Sequence, residues 1–145
     1  MTEEWTPTPV ASETKIAVVL RDDLKDWQKL NVTAFTISGI VATVENLIGK
    51  PYVDGSDNTY LPMSRQPMLM FVADTARLRQ IYERAMRRGV SIAIFTEELF
   101  ATNNDEDNRA AVRAVEGDKL RLVGLAMRAD RRLVDKIVKG AALHP

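Results

Sequence analysis

The chain has 145 residues, enough for one domain that buries roughly two thirds of the surface its unfolded form exposes. Lysine plus arginine (20) balance aspartate plus glutamate (20), so no bulk field draws the protein to nucleic acid or to an anionic membrane. The absence of cysteine excludes disulfide frameworks, thiolate zinc sites and a cysteine nucleophile, and suits a reducing, cytoplasmic compartment.

Residues 1–14 carry acids, threonines and two prolines without the basic start or apolar centre of a secretion signal, and are expected to form a flexible arm ahead of one domain over 15–145. Ile16 to Leu20 is a short apolar run bounded by polar residues, the pattern of a buried strand. A helix follows over about Trp27 to Ile48, apolar on most of its circumference and therefore expected under other structure or at a subunit interface. Its uncharged stretch, Leu30 to Val44, falls short of the roughly 20 apolar residues that a membrane span requires, and no membrane partner is expected. Lys50 to Gln66, with Pro51, Gly55 and Pro62, reads as a long loop.

Met68 to Val72 is the second strand. The next helix is capped by Asp74, stopped by Gly89, and turns Leu78, Ile81, Tyr82 and Ala85 inward. Ser91 to Phe95 is a third strand, and a short helix over about Asp107 to Val115 ends at the Gly117–Asp118 turn. A fourth strand lies within Leu120 to Met127, and the last helix, Arg131 to Lys139, starts behind Asp130 and stops at Gly140 with Leu133, Val134, Ile137 and Val138 inward. Strands alternating with helices demand crossover connections, which place helices on both faces of a mostly parallel sheet: an α/β/α three-layer sandwich.

Nucleotide loops are missing. Gly49 and Lys50 run into Pro51 without an upstream glycine, and the first strand is followed by Arg21, Asp22, Asp23, Leu24 and Lys25 rather than by a glycine fingerprint. The run Asn103 to Asn108 alternates oxygen ligands, but Asn108 and Ala114 stand where a calcium loop needs glycine and a bidentate glutamate, so a helix-capping loop is the better reading. Neither a metal nor another cofactor is expected. His144 could serve a hydroxyl nucleophile as base only if the terminus folded back over the site. Glu97 and Glu98 follow the third strand, at the carboxyl edge where open α/β sheets place ligands. Arg77, Arg84 and Arg88 fall within about 40° on a helix, with Arg87 beside them, a candidate phosphate-tracking ridge.

Lys15 to Lys25, valines followed by Arg21, Asp23 and Leu24, resembles the opening strand and turn of the type II peptidyl-tRNA hydrolases. Val123, Gly124, Leu125, Ala126 and then Val134 to Ile137 resemble that family's last strand and helix. The polar run Thr102 to Arg109 is more similar still to the uncharacterised family known as domain of unknown function 2000. The resemblance implies a four-stranded mixed sheet, its last strand antiparallel, between helices.

It also implies a functional lysine at the start of the first helix, where Leu30 stands in ungapped alignment and Lys29 one residue earlier, and an acid and threonine that fall on Glu97 and, one place late, Thr102. The extra methylene of Glu97 displaces its carboxylate from the place an aspartate would fill, a shift that matters for ester hydrolysis. The preferred reading is therefore a ligand-binding protein of this fold, without tRNA esterase activity, that takes a small or peptide-like molecule at the carboxyl edge. Lys25, Lys29, Asn31, Glu97, Glu98, Thr102 and Asn103 are its candidate lining. Two alternatives stand beside it. One is peptidyl-tRNA hydrolysis, with Lys29 facing the oxyanion and Glu97 or Glu98 activating water, tRNA being the less favoured partner. The other is a non-catalytic protein that pairs with a second copy.

Overall fold

The computed structural model describes residues 13–145, so the arm expected over 1–14 lies, save for its last two positions, outside the described residues. Strand β1 (Thr14–Arg21) opens the fold, and Ile16 to Leu20 are buried in succession. An unbroken apolar run is what a strand needs when both faces of its sheet are covered. β1 lies in the middle of five strands, between β4 (Met68–Ala73) and β6 (Leu122–Asp130), with β7 (Ala142–Leu143) beyond β4 and β5 (Ile92–Thr96) beyond β6. It runs parallel to β4, pairing Val18 with Met70, and antiparallel to β6, pairing Val18 with Ala126. β5 closes one edge antiparallel to β6.

Five strands replace the four expected. The extra one, β7 (Ala142–Leu143), follows the left-handed Gly140 and pairs antiparallel with Phe71 and Val72 of β4. The His144 N–H continues the ladder to the Met70 carbonyl at 2.9 Å.

Helix α1 (Asp26–Thr43) covers one face, burying Val32, Thr36 and Ile40 against Ile16, Val18, Leu20 and Ala126. α2 (Thr75–Arg87) and α4 (Arg131–Ile137) cover the other, where Leu78, Ile81, Ala85, Val134 and Ile137 meet Ala17, Val19, Leu125 and Met127. This gives the three layers. α3 (Asp105–Arg113) follows a single 3-10 turn, Glu97–Ala101, at the end of β5.

The caps read from sequence hold. Asp74 accepts the Arg77 N–H at 2.7 Å, and Asp130 accepts those of Arg132 and Leu133. Gly89 supplies the left-handed stop at φ 68°. The polar run before α3 is a cap as well: Asn104 accepts the Asp107 N–H at 2.8 Å, so that helix starts two residues earlier than expected.

Two departures are larger. α1 ends at Thr43, five residues short of Ile48, because Val44 is already extended and Asn46 turns the chain at φ 61° to bury Leu47. The expected loop at 50–66 contains a hairpin, β2 (Tyr52–Val53) and β3 (Thr59–Tyr60), whose turn is organised by Asp54 accepting from Ser56, Asn58 and the Tyr60 hydroxyl. No helix among the described residues is long and apolar enough to cross a membrane.

Candidate functional site

The seating of α1 decides what its flanks present. A Cβ added to Gly124 of β6 would stand 2.5 Å from Val32 Cγ1 and 3.2 Å from the Val19 carbonyl, so only glycine lets the helix approach this closely. β6 also carries one extra residue at this point, since Phe95 pairs with Gly124 and Thr96 with Leu122, and the bulge turns both Leu122 and Leu125 toward the α2 and α4 face. With Val32, Thr36 and Ile40 down, helical spacing puts Trp27, Asn31 and Phe35 on one flank and Asp26, Lys29, Leu30, Thr33 and Ala34 on the other. Each flank borders its own cleft.

The cleft on the first flank, about 510 Å³, is closed by the turn after β5 and the start of α3. Its apolar wall is a chain of rings. Trp27 meets Phe100 edge-on at 5.6 Å, Phe100 meets Phe95 at 4.9 Å, and Phe95 meets Phe35 at 5.9 Å. Its polar groups are Asn31, Thr102, Asn103, Asn104, Asp105 and Asn108. Asn104 is committed to capping α3, and the Thr102 hydroxyl lies against the Leu99 carbonyl and the Asn108 side chain. Asn31 and Asn103 have no protein partner for their amides among the described residues. Three of the expected ligand contacts, Asn31, Thr102 and Asn103, therefore converge here, together with aromatic residues that the sequence reading did not assign to a site.

The second flank lines a larger groove, about 690 Å³, between α1 and the returning C-terminal segment. Lys29 Nζ stands 3.1 Å from His144 Nε2. The other ring nitrogen, Nδ1, lies 3.0 Å from the main-chain oxygen of Pro145, the last residue, which can only accept. The terminus does fold back, and His144 belongs to a cleft.

Glu97 is elsewhere. Its carboxylate takes Arg21 at 2.7 Å and Arg121 at 3.5 Å, in a polar cleft shared with Thr75 and Arg79 of α2, on the face of the sheet opposite α1. Burial works against the Arg21 charge, but hydrogen bonds to Asp23 and Glu97 outweigh it and raise its pKa. Glu98 pairs with Arg121 at 3.2 Å. Its own backbone N–H, the Thr96 hydroxyl and Arg121 hold its carboxyl below the usual range against a partial opposing effect of burial. Both glutamates thus pair with arginine, and neither lines a cleft with Lys29. Lys25 precedes α1, its N–H bonded to the Gln28 side chain at 2.9 Å, and lines neither of the α1 clefts.

The arginine ridge is partly structural. Arg84 donates to the carbonyls of Ile137 and Lys139, at 3.1 and 2.7 Å, closing the C-terminal end of α4. Arg77 stacks its guanidinium where a side chain on Gly140 would project. Arg87 and Arg88 remain exposed at the end of α2.

Residues 14–145 match the family described as protein of unknown function DUF2000. A solved structure of the protein of unknown function Atu0240 from Agrobacterium tumefaciens str. C58 is 50% identical, superposes with a TM-score of 0.90, and is matched over 92% of this chain and 98% of its own. No protein of curated function matches the chain. With its fold shared by a half-identical relative and the family match running from the first strand to the last residue, this chain belongs to the DUF2000 family.

Proposed function

We propose that the protein binds a small or peptide-like, uncharged ligand in the aromatic and amide cleft beside α1, and that it does not hydrolyse peptidyl-tRNA. The observation that carries this reading is the pair of amides without a protein partner among the described residues, Asn31 and Asn103, in one cleft with four aromatic rings. Amides that both donate and accept, set in an apolar wall, suit a ligand with peptide-type hydrogen-bonding groups and a flat or apolar body. The same geometry speaks against the esterase: Lys29 is bonded to His144 on the other flank, and Glu97 is paired with two arginines across the sheet.

Trp27 is a built-in reporter, and a Trp5→Phe background leaves it as the single indole of a chain with two. Titration with N-acetyl amino-acid amides should give a saturable change in Trp27 fluorescence, weakened at least tenfold by Asn31→Ala or Asn103→Ala. N-blocked aminoacyl-tRNA should survive incubation with the protein. A flat titration across the series defeats the binding reading, and tRNA ester cleavage that falls a hundredfold in both Lys29→Ala and Glu97→Ala restores the esterase. Self-association is a second reading, favoured by the exposure of Leu30 (72%), Trp27 (55%) and Phe35 (55%) on one helix. A strictly monomeric mass by light scattering at 100-fold dilution steps removes it.

A further inference from the structure

The groove on the far flank of α1 is a site of different chemistry. Its walls are apolar, from Leu30, Ala34 and Met70, and its volume of about 690 Å³ is in the range of small-molecule pockets. Its cation is Lys29, which has no carboxylate of the described residues within 4 Å and meets His144 Nε2 at 3.1 Å. A single hydrogen bond to that ring leaves two of its three protons without a protein acceptor among the described residues. Arg21 and Lys15, by contrast, each end on a carboxylate. Asp26, one turn upstream of Lys29, and the acceptor oxygen of Pro145 also border the groove and mark the places that an anion would avoid.

We infer that this groove binds an organic carboxylate with an apolar chain, its head group on Lys29 beside His144 and its chain along Leu30, Ala34 and Met70. The carboxylate accepts from the two remaining ammonium protons, a charge-assisted bond stronger than a neutral one in a site partly shielded from water. The chain removes apolar wall from water, so affinity rises with chain length until the groove is filled. The site is separate from the aromatic and amide cleft and stands or falls without it.

His144 is the single histidine of the chain, so its ring signals report the groove without assignment of the rest of the spectrum. Octanoate, added below its micelle concentration, should shift those signals saturably, while octanamide, the uncharged isostere, should bind at least tenfold more weakly. Lys29→Met, which keeps the aliphatic stem, should reduce octanoate to the level of octanamide. Ala34→Phe, at an exposed helical position bordering the groove, narrows it and should abolish both. Equal affinity for octanoate and octanamide, undiminished octanoate binding in either variant, or no saturable shift in the folded wild type overturns the assignment.

Discussion

Gly124→Ala tests whether the seating of α1 is as tight as the geometry implies. The added Cβ would stand 2.5 Å from Val32 Cγ1, on a fully buried β-branched side chain with little rotamer freedom, and 3.2 Å from the Val19 carbonyl in the sheet's central strand. Neither neighbour can swing aside, so the helix must lift or the sheet must bend. Overpacking of this kind costs about 1–3 kcal/mol. A loss of about 2 kcal/mol lowers Tm by roughly 4–8 °C in a domain of this size. Val32→Ala alone leaves a void and costs about 2 kcal/mol, by analogy with other truncations of buried aliphatic side chains. Combined, the two changes should partly cancel, because the new methyl occupies space vacated by the valine. Urea denaturation of the four proteins should therefore show a double mutant at least 1 kcal/mol more stable than additivity requires. Additivity within about 0.5 kcal/mol would refute the close contact.

Arg84→Met should cost about 1–2 kcal/mol by denaturant midpoint, since it strips the donor from the Ile137 and Lys139 carbonyls, whereas Arg87→Ala and Arg88→Ala should stay within about 0.5 kcal/mol. The hairpin turn should be acid-resistant. The Tyr60 hydroxyl, with Asn58 and Ser56, lowers the Asp54 carboxyl to about 2, so the order it confers is present above the usual carboxylate range and is lost as pH falls from there through about 2. Amide exchange at Ser56 and Asn58 should stay protected at pH 4 in the wild type and be unprotected at every pH in Asp54→Asn. The partner effect has the opposite sign. Donation to Asp54 raises the Tyr60 phenol, so in an ultraviolet titration Tyr60 should ionise at higher pH than in Asp54→Asn.

The strands, the caps and the inward faces of α2 and α4 were legible because each rests on a local rule: a buried apolar run, an aspartate before a helix, a glycine after one. β7 was not. Two residues, Ala142 and Leu143, carry no pattern of their own and become a strand only because β4 offers an unpaired edge after Gly140 turns the chain. That return is also why His144 was undervalued, since its partner Lys29 is 115 positions away. Carboxyl-edge reasoning brought Asn31, Thr102 and Asn103 to one cleft but failed to separate them from Glu97. The edge has two faces, and Arg21, whose side chain is 14% exposed, draws Glu97 to the face that α1 does not cover. The hydrophobic count of α1 suggested burial all round, whereas one stripe alone is buried and the other apolar residues form cleft walls.

That division explains how a helix can be rich in apolar residues and still present two flanks of different chemistry. The seam through Val32, Thr36 and Ile40 holds α1 on β6, with the Thr36 hydroxyl bonded to the Val32 carbonyl at 2.8 Å and so needing no partner in the sheet. Once the seam is fixed, the period of 3.6 residues leaves Asn31 and Thr33, its immediate neighbours, on opposite sides. Trp27, Asn31 and Phe35 repeat every four residues toward an uncharged, ring-lined cleft, and Lys29, Leu30, Thr33 and Ala34 face a groove with one ammonium. Among the described residues the first flank has no cation to meet a carboxylate and the second no free amide to meet a peptide group, so the two proposed ligands differ in chemistry. Substitutions that move α1 as a body, such as Gly124→Ala, should weaken both ligands together, whereas Asn103→Ala and Ala34→Phe should each affect one. If every variant weakened both ligands alike, the two clefts would be a single site, and the independence assigned to them would be wrong.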